Sequence, residues 1–513
     1  MRRISAAVLI PMGWAVLSTV AHAQYGRGNS DWGTAGFDPQ RSSWVRTDAK
    51  ISRESLSKPG FTLTWKIGLA KDSKAGVLGA PILLNRYIGY RGFRSFAFVG
   101  GAGDNVYTVD TDLSRLEWHD HLPPAAALPP GCAASSVPEV ARPSSTAFPA
   151  APVAGRGGMG GRRAYARGAV GDPGEGAVTV AAAARAGAIP MGPGRGRGGP
   201  GRGPDPTARR IQNSLFVLTG DGMLHSFWLS SGVTAEDAIQ FLPPGAGGRG
   251  LMVIENVAYA ATSAGCGGSS GVSALDMATG KVAHWNPQGG AVAGGEGIAA
   301  GPDGTLFVAT AGSSAAVAAL EPKTLQQKDW YASNGQDMLS SPVIFEYKDK
   351  ALLAVASKNR QIVLLDTESL GGPDHQTALF TASVDAAPQS LASWQDAAGT
   401  RWLVGNTEGG VRAWKVVDRN GRPALEAAWA SPEIAAPLAP IIVNGVVFTA
   451  SKGSRATPAV AYALDSGSGK ELWNSGRIIS SMVAESGLAA GDTQVYVGTA
   501  DGTLYAFGFP IEH

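Results

Sequence analysis

The sequence predicts an all-β protein, an eight-bladed β-propeller of four-stranded antiparallel blades. Three observations carry that reading: a phrase that recurs about every 45 residues, short alternating strands parted by Gly or Asp-Gly turns, and tryptophan in register with the repeat. The clearest unit is residues 494–507, two alternating apolar runs joined by Asp501-Gly502, a strong hairpin signal. Upstream, Ala459–Asp465 leads through Ser468-Gly469-Lys470 to Trp473, and the same phrase runs from Val272–Asp276 through Thr279-Gly280-Lys281 to Trp285. Weaker copies are Val106–Asp110 with Trp118, and Val317–Glu321 with Trp330; Ile362–Asp366 and Val411–Trp414 complete the set.

The ends of these strands fall at 276, 321, 366, 415 and 465, steps of 45, 45, 49 and 50 residues. Helical and leucine-rich repeats are excluded, because no segment sustains a 3.6-residue pattern. Trp65, Trp118, Trp285, Trp330, Trp429 and Trp473 recur at the fourth strand, where large apolar side chains would plug the space between blades. One step is out of line: Asp110 to Phe227 is 117 residues. The excess matches the low-complexity stretch 141–210, which is therefore an insertion in the second blade, between a first strand near Ser135–Val140 and a second at Ser214–Thr219. The last blade, 482–508, lacks its outer strand. Thr62–Ile67 can supply it, joining the two ends of the chain and removing an exposed sheet edge.

The chain has 513 residues with 70 Gly, 44% hydrophobic and 16% charged residues, enough apolar content for a large turn-rich core. Residues 1–23 read as a secretory signal: Arg2 and Arg3, an apolar stretch to Val20, and Ala21-His22-Ala23 at the cleavage positions. The mature protein is expected to start at Gln24 and to be periplasmic or secreted, with no further transmembrane segment. Residues 24–60 form an N-terminal lead-in and 61–513 the propeller. Two cysteines and no Cys-x-x-Cys-His exclude a c-type haem attachment. Neither a Walker loop nor a His-Glu-x-x-His is present. His119-x-His121 reads as a polar strand end.

Asp31-Trp32-Gly33-Thr34-Ala35-Gly36-Phe37-Asp38, followed by Ile51-Ser52-Arg53 and Leu63-Thr64-Trp65, resembles the start of the quinoprotein alcohol dehydrogenases, and residues 274–285 and 463–473 are similar to their repeated phrase. The resemblance implies a pyrroloquinoline quinone (PQQ)-binding-like propeller, a fold shared with non-catalytic assembly scaffolds. It places Asp337 at the position of the catalytic base and Lys358, in Lys358-Asn359-Arg360-Gln361-Ile362, at that of the cation contacting the quinone. Elsewhere the family pattern is broken. Gly265-Cys266-Gly267 stands where a Glu metal ligand is expected, and Ala311-Gly312-Ser313 where an Asn is expected. No Trp lies near Gly294-Gly295-Glu296-Gly297 to form the floor under the quinone, although Glu296 is an alternative ligand. PQQ is thus a possible cofactor, while Ca²⁺ has lost two oxygen ligands and no metal-binding residues are assigned. By the same resemblance Cys132 and Cys266 face one channel mouth from neighbouring blades, and a disulfide between them is expected.

The insertion 141–210 holds 17 Gly and 11 Arg, no Lys and three acids. Such Gly/Arg/Pro-rich sequence cannot form a core and is expected to be disordered. In an exported protein it suits an envelope protein or an anionic polymer better than nucleic acid. The mature chain without it carries a net charge of −8, hidden in the overall +2. Two functions follow: a binding or assembly module with a degenerate quinoprotein site, or a PQQ-dependent dehydrogenase of an alcohol or sugar using Asp337 and Lys358.

Overall fold

Short alternating runs separated by tight turns leave each strand to pair with the strands immediately before and after it, so the chain builds a series of antiparallel meanders. The computed structural model describes residues 31–70, 77–89, 92–124, 128, 137–140, 214–265, 268–333 and 335–510. In it the strands form eight sheets. Blades 1 to 7 span residues 82–121, 137–240, 249–285, 291–331, 343–383, 390–430 and 441–474, and blade 8 spans 483–508. First strands of neighbouring blades touch one another and line the central channel. Val140 pairs with Leu215, so residues 141–213 are carried between the first and second strands of blade 2. The expected signal sequence, the insertion, and Cys132 and Cys266 with the disulfide expected between them lie outside the described residues.

The ring closes as the repeat predicts. Strand Thr62–Gly68 pairs antiparallel with Thr503–Gly508, placing Leu63 opposite Phe507 and Ile67 opposite Leu504. Phe61 extends the seam, packing edge-on against Trp473 at 4.9 Å and Phe509 at 5.4 Å.

Trp118 and Trp429 work as pins between blades. Trp118, in the outer strand of blade 1, donates its indole N–H to the Leu229 carbonyl of blade 2 at 3.1 Å. It lies against Gly232 (φ +66°), where a Cβ would come within 2.6 Å of the ring. Trp429 of blade 6 repeats the arrangement on blade 7, donating to the Ser466 carbonyl at 2.8 Å and covering Gly469 (φ +71°). Each glycine therefore serves a left-handed turn and a close ring contact at once. Trp330 differs: it is 38% exposed and stacks on His375 of blade 5, with ring centroids 3.7 Å apart.

The repeat does not foretell the course of residues 31–48. This segment forms a strap that visits all eight blades in order. Leu83 of blade 1 donates its N–H to the Trp32 carbonyl (2.9 Å), and Val140 of blade 2 to that of Gly33 (2.9 Å). Thr34 Oγ1 donates to the Leu251 carbonyl of blade 3 (3.1 Å). Ala300, Ile344, Ser393 and Ile442, on blades 4 to 7, donate to the carbonyls of Pro39, Gln40, Ser42 and Ser43 at 2.7–3.0 Å. Trp44–Val45 adds a short parallel strand to Ile441–Val443, and Thr493 of blade 8 donates to Asp48 Oδ2 at 3.0 Å. An inner strand has one edge paired and one facing the channel. Its free backbone groups need partners once they are out of water, and the strap supplies them.

Arg41 fixes the strap in place. It is 2% exposed and has φ +61°, a costly conformation for a side chain of that size. Its Nε donates to the Ile298 carbonyl and its Nη2 to that of Gly250, both at 2.8 Å, tying blades 4 and 3 together. Its Nη1 donates to Thr34 Oγ1 at 2.8 Å and to the Ala35 carbonyl, closing the strap on itself.

Candidate functional site at the channel mouth

The strap runs along the end of the channel at which first and second strands are joined. The other end is built from the loops that lead into first strands and from the turns after second strands. Asp337 precedes the blade 5 inner strand Val343–Tyr347, and Lys358 follows the second strand Lys350–Ser357. Both are thereby delivered to this mouth, and the structure brings them together: Lys358 Nζ donates to Asp337 Oδ2 at 3.0 Å, and the Lys358 N–H to the Asp337 carbonyl at 2.9 Å. The other carboxylate oxygen accepts the N–H of Gly312, at the end of the second strand of blade 4, at 2.6 Å. The lysine first, and then the glycine N–H, hold the Asp337 carboxyl below the usual carboxylate range. Both side chains are accessible, 55% for Lys358 and 36% for Asp337.

Beside this pair the loop from blade 3 to blade 4, residues 291–297, is clamped on three sides. Arg249, which opens the blade 3 inner strand, donates Nη2 to the Val292 carbonyl at 2.8 Å and Nη1 to the carbonyls of Gly294 and Gly295. Burial draws its guanidinium down from the ordinary value, and Glu296 partly offsets this. Ser341 Oγ accepts the N–H groups of Glu296 and Gly297 at 3.1 and 3.0 Å. Gly294 (φ +76°) meets the Ser341 backbone, and Gly297 (φ +78°) meets Ala261, so neither position has room for a Cβ. Packing therefore excludes an indole at those two positions, while Gly295 between them is open. Arg249 and Ser341 were not found by motif reading. The signal that marks Arg249 is a charged residue flanked by Gly248 and Gly250 at the start of an otherwise apolar inner strand.

The donor set does not suit a hard divalent ion. At Gly312 the chain presents an N–H where a cation would need an oxygen, and Asp337 is already bonded by an ammonium. Among the described residues no group of three or more His, Cys, Asp or Glu side chains is placed to hold a metal. Residues 266–267 lie outside the description, and with them the position of Cys266; Gly265 and Gly268 pair across it. His119 lies on Tyr107, with rings stacked at 4.5 Å, and shares a 3.0 Å hydrogen bond with Asn105 Oδ1.

No protein-family model matches the chain, and no curated protein matches it in sequence. Its fold is shared with solved structures. The quinohemoprotein alcohol dehydrogenase of Comamonas testosteroni superposes with a TM-score of 0.51 at 12% identity, over 94% of this chain and 81% of that one. The quinohemoprotein alcohol dehydrogenase ADHIIG of Pseudomonas putida HK5 gives 0.52 at 13% over the same shares. Sqt1 of Saccharomyces cerevisiae gives 0.52 at 11%, over 88% of this chain and 100% of that one. The architecture is thus that of the propellers the N-terminal residues resemble. At these identities the likeness is one of fold, and fold does not fix function.

Proposed function

We propose that the chain is an exported propeller acting as a binding or assembly module on a degenerate quinoprotein site, and not a dehydrogenase that turns over an alcohol or sugar. The observation that carries this is the engagement of Asp337. A base that takes an alcohol proton needs an oxygen directed at the substrate and a pKa matched to the task. Here Lys358 and Gly312 each hold one oxygen and stabilise the charged form, which weakens the base. The packing at Gly294 and Gly297, which admits no side chain at either position, supports the same reading.

The test is reconstitution of purified mature protein with PQQ and Ca²⁺. We expect neither stoichiometric binding nor dye reduction with alcohols or aldoses; tight binding with dye reduction would establish the dehydrogenase with Asp337 as base and Lys358 on the quinone. Export is read from residues 1–23, and no described helix is long and apolar enough to cross a membrane. N-terminal sequencing of periplasmic or secreted protein should begin at Gln24. The Arg/Gly-rich insertion is the proposed arm for an envelope protein or anionic polymer, and its deletion should abolish co-sedimentation with envelopes.

A further inference from the structure

At the end of the channel opposite Asp337, where the strap crosses from blade 5 to blade 6, a cavity of about 30 Å³ is lined by Asp38, Ser42, Trp44, Arg46, Ser393 and Arg401, among others. That space admits a pair of waters or one small ion. Two guanidiniums line it, together with the carboxylates of Asp38 and Glu346. Arg401 is 6% exposed, donates Nε to the Glu346 carbonyl at 3.1 Å, and lies over the Trp44 ring at 5.6 Å. Arg46 lies on the same ring at 4.3 Å. Burial first, and then the repulsion of Arg46, bring the Arg401 guanidinium down to about 10.

Asp38 and Glu346 attract Arg46, and Glu346 attracts Arg401, but neither carboxylate pairs directly with either guanidinium. Both oxygens of buried Asp38 are taken by Ser42, from its N–H at 2.8 Å and its hydroxyl at 2.6 Å. Glu346 is exposed to solvent. Among the described residues neither Arg46 nor Arg401 is ion-paired. Two buried donors at the cavity also lack partners there: Arg46 Nε and the hydroxyl of Ser393, a residue with no exposure at all. Buried donors without acceptors are costly, and one anion seated among them would supply the acceptor and a direct partner for the guanidiniums. Two guanidiniums at one point favour it further.

We propose that this pocket binds one small monovalent anion, of the size of chloride or a carboxylate group, between Arg46, Arg401 and Ser393. The strap supplies Arg46 and Trp44, so the site exists only when the strap is seated, and the anion fastens the strap to blades 5 and 6.

The experiment is ³⁵Cl NMR line broadening on mature protein exchanged into a bulky sulfonate buffer, with chloride added at constant ionic strength. Saturable broadening is expected, along with an unfolding midpoint that rises with chloride. Arg46→Gln and Ser393→Ala, both chosen to leave the blades intact by circular dichroism, should each weaken chloride binding tenfold or more and remove the chloride-dependent rise. Competition by formate would support the site and identify a carboxylate-bearing ligand as an alternative occupant. Absence of protein-specific broadening, or equal broadening in folded Arg46→Gln and Ser393→Ala, would overturn the proposal.

Discussion

At the scale of single residues the blades are held in register by contacts that tolerate almost no added volume. Gly469 sits in a left-handed turn under the Trp429 indole, and a Cβ there runs into the ring. Gly469→Ala should cost about 3 kcal/mol, from positive-φ strain plus displacement of the indole. A lower denaturation midpoint at unchanged slope would show this, whereas an effect below about 1 kcal/mol would count against the pin. The Asp337–Lys358 pair makes a different prediction. The folded Asp337 pKa is depressed, so its contribution is present above the ordinary carboxylate value and is lost as pH falls through the folded value. Both groups are accessible, so the contribution is small, at most about 1 kcal/mol. Lys358→Met should be slightly less stable than the parent at neutral pH, and the gap should close in acid. A gap that widens in acid would contradict the assignment.

At the scale of elements the strap matters most. Its backbone has positive φ at Gly36, Phe37, Arg41 and Ser43, a shape that only a dense set of partners sustains. Arg41→Met would leave the buried carbonyls of Gly250 and Ile298 without their donor, at a cost of about 2–4 kcal/mol. Hydrogen exchange reads the consequence directly. The amides of Leu83, Val140, Ala300, Ile344, Ser393 and Ile442 all donate to the strap or to residues joined to it. In Arg41→Met they should lose protection together, while the hairpin 494–507 keeps its own. Loss at Ala300 alone would mean that Arg41 acts locally and that the strap does not behave as one unit.

For the whole molecule the ring is continuous from Thr62–Gly68 to Thr503–Gly508, and residues 141–213 join two paired strand ends in blade 2. Replacing 141–210 by a short Gly-Asn turn should preserve the far-ultraviolet spectrum. It should also raise stability by up to about 2 kcal/mol, because closing roughly seventy residues costs more entropy than closing a few. A marked loss of stability would show that the segment packs on the propeller. The six recurrent tryptophans, the closing strand and the place of the insertion were all legible in the sequence. Each rests on local spacing, and spacing is a property of the chain alone. Arg249, Ser341 and the pocket at Arg46 and Arg401 were not, because their partners lie on other blades and come from no shared motif.

Period and alternation by themselves determined the eight four-stranded blades, since a half-buried strand needs a residue type at every second position and a turn at its end. Asp337 and Lys358 were singled out by the resemblance to the quinoprotein family. Only the tertiary structure decided that these two bind each other, that Gly294 and Gly297 leave no room for a side chain, and that residues 31–48 contact all eight blades. The physical reason is that free strand edges and buried charges are satisfied by whatever the closed ring brings within about 3 Å, and sequence distance does not record that proximity.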